Sequence, residues 1–340
     1  MVLELLTITF TNQDDIVPLS GAQEIVNTGI VHTFAGNDII TGTATPGSSE
    51  QGFSNIGTLN TNEGNDIITG IGAGDFYGIF HSGYIDTGDG NDVIAGINPT
   101  GGTTGIFSYV GAINTGNGDD IITGIAETFG ILNGSTIDTG NGNDSIISQG
   151  NIQTVGRVFL GNGNDSILVD YGHQGSLVNS PNSGIEGGGI IDTGDGNDII
   201  STREGIFNDG VINTGSGNDS IISGVSGFIN IGIINTGDGN DSIIGDQGFN
   251  LLPFYSRGSV FLGNGEDHIR TFGSNDFYGG KGNDILELTS GSYIIEISGT
   301  AVNFIKDSTI MKTSEFERLI AGNTTYNFSS LTNGQTIFVT

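Results

Sequence analysis

Apolar residues recur along the chain in pairs nine residues apart, with a glycine-rich phrase between them. The clearest copy reads Ile85-Asp86-Thr87-Gly88-Asp89-Gly90-Asn91-Asp92-Val93-Ile94. Eleven versions align on their last aspartate: Asp38, Asp66, Asp92, Asp120, Asp144, Asp165, Asp198, Asp219, Asp241, Asp267 and Asp284. Two residues later comes Ile, or Leu286 in the last copy, and seven residues earlier stands an apolar column running from Val31 through Ile85 to Phe277. The residue just after the aspartate varies from Ile39 to Ser145 to His268, which is the period-two alternation of a half-buried strand. Two residues before the aspartate there is always Gly, a position that demands positive φ or a close backbone approach.

A nine-residue strand–turn–strand unit cannot bury its apolar face alone, but stacked copies can. The expected fold is therefore all-β: a parallel β-roll or β-helix solenoid with stacked Gly-rich turns and a small C-terminal β cap. The copies lie 17 to 33 residues apart, and the segments between them, such as Gly78-Ile79-Phe80-His81, supply the return path. That length fits two or three strands per coil. Residues 1–30 read as first strands or an N-terminal cap, 31–288 as the solenoid and 289–340 as the C-terminal cap. Insertions fall at 170–189 and at 249–257, the latter an apolar loop and a candidate partner contact.

Charge sharpens this picture. The chain has 38 Asp+Glu against 8 Lys+Arg, a formal charge of −30, and no Cys. Nucleic acid and anionic membrane surfaces are excluded as partners, because their phosphates call for cationic side chains. Without thiolates any metal must be hard and held by oxygen. No apolar run is long enough to span a bilayer. Stacked turns place the eleven aspartates in one column, and two unit charges about 5 Å apart repel by roughly 3 kcal/mol at an effective dielectric near 20. Something cationic must sit there. Ca²⁺ accepts six to eight oxygens, backbone carbonyls included, and one ion between each successive pair gives about ten sites. The metal-ligating candidates are the eleven aspartates of the column.

Gly279-Gly280-Lys281-Gly282-Asn283-Asp284-Ile285-Leu286-Glu287 resembles in full the nonapeptide GGxGxDxUx of RTX, or hemolysin-type calcium-binding, repeats. The other ten copies keep Gly-x-Asp-x-U, and Phe34 and Asn62 replace the earlier Gly in the first two turns. The resemblance implies a parallel β-roll with Ca²⁺ held between turns by aspartates and carbonyls. It also implies type I secretion directed by the C-terminal region, with Thr336-Ile337-Phe338-Val339-Thr340 as the apolar ending, and hence an extracellular or cell-surface location. Here one calcium turn occurs per coil, so a single calcium column is expected.

No catalytic constellation is present: HExxH and Gly-x-Ser-x-Gly are both absent. His32, His81, His173 and His268 are scattered and read as surface or turn residues. The expectation is a secreted, non-enzymatic calcium-binding solenoid with a structural, adhesive or surface-associated role, meeting an extracellular polysaccharide or protein. Two alternatives stay open. A polysaccharide-modifying enzyme would show a groove with Tyr77, Tyr84, Tyr109 and Tyr171. An ice-binding solenoid would present a flat Thr row, and Thr recurs five residues before the aspartate (Thr87, Thr115, Thr139 and others).

Overall fold

The protein is seen in a computed structural model, which describes residues 2–18, 21, 23–45, 51–99, 101–170, 185–186, 189–249 and 257–340. The insertion at 170–189 lies almost wholly outside the described residues, as does most of the loop at 249–257, and Tyr171 and His173 fall outside them too. The chain forms two compact units, Met1–Ser176 and Leu177–Thr340, each a stack of parallel β-coils.

In the first unit a coil consists of a short strand (Tyr84–Asp86), the Gly-rich bend, a longer strand (Val93–Asn98) and a return strand (Thr104–Ser108). In the following coil the last two fuse into one strand, Ile121–Asn133, which pairs with both Val93–Asn98 and Thr104–Ser108. The coil thus has three strand segments where a loop interrupts it and two where none does.

The two predicted apolar columns exist and stack in register. Before the bend, Val31, Leu59, Ile85, Ile113, Ile137 and Val158 face one another in parallel. After it come Ile40, Ile68, Ile94, Ile122, Ile146 and Ile167. A third column, unanticipated, comes from the return strands: Ile25, Phe53, Ile79, Ile106, Ile131 and Ile152. All of these side chains are buried. Burying one aliphatic of this size stabilises by about 1.5–3 kcal/mol, so the three columns together form the hydrophobic spine of the unit.

The return strand also carries a buried polar column, with Asn27, Asn55, His81, Ser108, Asn133 and Thr154 in register. Asn27 Nδ2 donates to Asn55 Oδ1 at 2.7 Å and to the Thr58 carbonyl at 3.0 Å, tying successive coils together. His81 occupies an Asn place and is fully buried. This corrects the surface reading of that residue. Burial lowers its pKa to about 4, so it is neutral.

The second unit repeats the pattern with Ile191, Ile212, Ile234, Val260 and Phe277 before the bend. Ile200, Ile221, Ile243, Ile269 and Leu286 follow it. Beyond Leu288 the chain makes antiparallel as well as parallel pairings. Gly291–Ser298 pairs with Ala301–Lys306, setting Ile295 opposite Phe304 and Ile297 opposite Val302. Thr309–Ser314 then joins Asp276–Gly282 in parallel, and Arg318–Ala321 joins Ile285–Leu288. These strands supply the backbone partners that the last coil would otherwise lack. The terminal strand Thr336–Val339 pairs with Gly291–Ser298, so the apolar ending is part of the sheet.

Candidate metal centre

The bend is held by main-chain bonds between coils. The amide of Gly64 donates to the carbonyl of Asp89 at 2.8 Å, and the amide of Asp89 donates back to Asn62 at 2.9 Å. Gly64 has φ +135, and a Cβ there would lie 1.8 Å from the Gly36 oxygen. Both reasons offered for an obligatory Gly, positive φ and close approach, hold at once. Phe34 and Asn62 keep the left-handed conformation (φ 73 and 75) where Gly88 has φ 98, so the two degenerate turns retain the shape of the others.

All eleven predicted aspartates lie at the same place in the bend, each at most 2 % exposed. Within each unit they form a ladder. The amide of Asp38 donates to Asp66 Oδ1, Asp66 to Asp92, Asp92 to Asp120, Asp120 to Asp144 and Asp144 to Asp165, all at 2.7–2.8 Å. The second unit repeats this from Asp198 through Asp219, Asp241 and Asp267 to Asp284 at 2.8–3.0 Å. The neighbouring residue builds a second ladder of opposite sense. Asn37 Oδ1 accepts from the amide of Asn65 one coil later, and Asn65 Oδ1 from Asn91.

Two members of the aspartate ladder were missed by the sequence reading. The amide of Asp15 donates to Asp38 Oδ1 at 2.9 Å, with Val17 opposite Ile40. In the second unit Glu317 Oε2 accepts from the amide of Asp284 at 2.8 Å, with Leu319 opposite Leu286. Neither follows a Gly-x phrase. An acid with an aliphatic two residues later was the signal available.

The ladder uses one oxygen of each carboxylate. The other, Oδ2, is buried without a hydrogen bond of normal geometry in Asp38, Asp66, Asp92, Asp120, Asp144, Asp219, Asp241, Asp267 and Asp284. In all but the last two, the Thr hydroxyl five residues earlier favours the ionised carboxylate but offsets less than burial costs. An ionised carboxylate is acceptor-only, so such an oxygen calls for a proton or a cation. Desolvation, reinforced by like charges, pushes Asp66, Asp92, Asp120 and Asp284 up to about 6 and Asp219 and Asp267 up to about 7. Asp38, Asp144 and Asp241 are raised by the same burial. Among the described residues, no backbone amide donates to the turn carbonyls of Gly36, Gly64, Gly90, Gly118 and Gly142. Uncommitted carboxylate and carbonyl oxygens side by side in the bends of Asp38, Asp66, Asp92, Asp120 and Asp144 are the donor set of a hard divalent cation. Among the described residues no three His, Asp or Glu side chains converge, so any cation here would rely on main-chain oxygen as well.

The other sequence candidates fall elsewhere. The Thr row is internal: Thr33, Thr61, Thr87, Thr115, Thr139, Thr193, Thr214 and Thr236 are all 0 % exposed. Each hydroxyl bonds a main-chain oxygen of the next coil, as Thr87 does to Thr115 at 3.2 Å. The exposed row of the bend instead mixes Glu63, Asp89, Asn117, Asn141 and Asn162. Tyr77 and Tyr109 meet through Phe107, with ring centroids at 4.9 and 5.9 Å, while Tyr84 stands exposed. His268 bonds Glu287 at 3.0 Å, and His32 is exposed.

No family model matches the chain, so the RTX resemblance rests on the nonapeptide phrases themselves. No curated protein matches it either. A solved structure described as a hyperactive, Ca²⁺-dependent, β-helical antifreeze protein from an Antarctic bacterium aligns with 95% of this chain and 96% of its own, at 17% identity and a TM-score of 0.45.

Proposed function

We propose that this is a secreted, non-enzymatic calcium-binding solenoid whose folding is driven by Ca²⁺ and which serves a structural or adhesive role at or beyond the cell surface. The observation that carries the reading is the row of buried Oδ2 atoms, without a hydrogen bond of normal geometry, in consecutive bends. Asp38, Asp66, Asp92, Asp120, Asp144, Asp165, Asp198, Asp219, Asp241, Asp267 and Asp284 would hold the ions together with turn carbonyls. The ions would supply positive charge that the 8 basic residues cannot. Metal-coupled folding follows, because binding free energy is folding free energy when the site exists only in the stacked state. Circular dichroism at pH 8 tests this: chelation removes the β signal and calcium restores it cooperatively. An unchanged spectrum in excess chelator refutes it.

A second reading, ice binding, is favoured by one face of the first unit. The outward rows Ile39, Ile67, Val93, Ile121 and Thr41, Thr69, Ala95, Thr123 stack in register and are free of charge. Thermal hysteresis lost on Thr69→Lys, with the fold retained, would support that reading over a purely structural one.

A further inference from the structure

Away from the aspartate column, the second unit carries a cleft of about 410 Å³. Its walls are residues that follow three successive strands: Asp246 and Gln247 after Ser242–Gly245, Phe272 and Ser274 after His268–Thr271, and Ser290 beyond Ile285–Leu288. Those strands pair in register, so their ends stack. The cap supplies the remaining wall. Ala301–Lys306 and Thr309–Ser314 form a hairpin in which Lys306 pairs with Thr309, and the two residues between them, Asp307 and Ser308, take φ 49 and 68. Positive φ at both central residues makes the tight turn that matches strand twist. It sets Lys306 and Thr309 side by side on the cleft.

Lys306 is held in place. Its Nζ donates to the Ser290 carbonyl at 2.7 Å and lies 5.5 Å from the ring centroids of Phe272 and Tyr293. Its stem crosses Gly291, where a Cβ would come 2.7 Å from both Cε and Nζ. Arg257, Arg270 and Lys312 each face a carboxylate, whereas Lys306 has no acidic partner among the described residues. An ammonium has three donors, so its bond to Ser290 leaves two for a ligand. Asp246 has its charge matched by Arg270 at 3.1 Å and keeps acceptor capacity to spare.

The cleft therefore offers ammonium donors, a carboxylate acceptor, the Gln247 amide, the hydroxyls of Ser274 and Thr309 and an aromatic wall. That set suits a ligand whose hydroxyls both give and take hydrogen bonds around a C–H skeleton, which is the chemistry of a sugar. The volume falls among small-ligand sites, about 300–1,000 Å³. A formal charge of −30 repels anions, so the sugar is an uncharged one. We infer that this cleft binds a neutral saccharide, with Lys306 and Asp246 as its polar contacts and Phe272 as its apolar wall. The inference rests on the adhesive part of the proposed role, to which it gives a ligand, and uses none of the column aspartates.

Saturation-transfer difference NMR on the full chain in calcium tests this, with glucose, galactose, mannose and N-acetylglucosamine as neutral probes and glucuronate as the charged one. At least one neutral sugar gains signal on the C–H protons that meet Phe272. Its binding weakens by about tenfold or more in Lys306→Met and in Asp246→Asn, as loss of a hydrogen bond to a charged group requires. Circular dichroism in calcium reports whether each variant keeps the fold. The two substitutions lie in different walls, so either one that folds decides the matter. Undiminished binding in the folded variants overturns the cleft and leaves sugar adhesion to another surface. A wild type that binds none of the neutral probes overturns the cleft together with its sugar partner, and one that binds glucuronate more tightly than all of them overturns the choice of a neutral ligand.

Discussion

Protons should replace calcium. In the metal-free fold six aspartates titrate at about 6 or about 7 rather than at 3.8. The folded chain then binds more protons than the unfolded chain between those values, so its stability is fullest below pH 4 and falls as pH rises through 6 to 7. A shift of about two units is worth about 3 kcal/mol. Even two or three such groups rival the 5–15 kcal/mol that holds a typical domain together. Calcium reverses the trend, since its binding requires the ionised carboxylate and releases protons. The assay is circular dichroism and thermal melting of protein stripped on chelating resin, at pH 5 and pH 8, with light scattering to exclude association near the isoelectric point of about 4.1. The stripped chain is folded at pH 5 and loses its β signal at pH 8, whereas calcium-loaded protein is folded at both. A stripped chain more stable at pH 8 than at pH 5 would show that the Oδ2 atoms are not the groups that limit the metal-free fold.

The remaining predictions concern the bend. Gly64→Ala, which drives a Cβ to 1.8 Å from Gly36 oxygen, should collapse cooperative melting of the first unit even in calcium. Gly74→Ala, with φ +66 and open space around it, should cost about 1–2 kcal/mol. Similar melting losses for the two would refute the close-approach argument. Thr87→Val strips a hydroxyl bonded to the Thr115 oxygen inside the coil and should lower stability by about 1–3 kcal/mol. A neutral effect on melting would return the Thr row to the surface.

The stacking direction was legible because parallel pairing superimposes equal positions of each copy, so any alignment on the aspartate also aligned Ile85 over Ile113 and Ile94 over Ile122. Alternation carried more than was taken from it: if Ile85 faces inward and Asp86 outward, Thr87 must face inward, and it does. The third apolar column was hidden because its distance from the aspartate phrase varies, with the loop 72–76 between the two strands in one coil and no break at all in Ile121–Asn133. The same variation concealed the Asn27–Asn55–His81 column. Asp15 and Glu317 escaped because neither follows a Gly-x phrase: the residues two before them are Gln13 and Glu315.

The two adjacent ladders separate what the fold needs from what a cation needs. In the ladder that starts at Asn37, each side-chain oxygen accepts one amide from the next coil, and an amide oxygen suffices: the row runs Asn37, Asn65, Asn91, Asp119, Asn143. The ladder one residue later asks the same of Oδ1, so asparagine would serve it equally well. Yet all eleven copies have Asp, although its charge is buried and disfavoured by its surroundings. Stacking alone therefore favours Asn at both places. The difference between Asp and Asn lies in the charge and in the second oxygen, the atom that Asp66, Asp92 and Asp120 among others leave outside the ladder. A chain that keeps a costly ionisable group eleven times, where a neutral isostere fills the same hydrogen bond, is what the proposal of a cation held by the other oxygen requires.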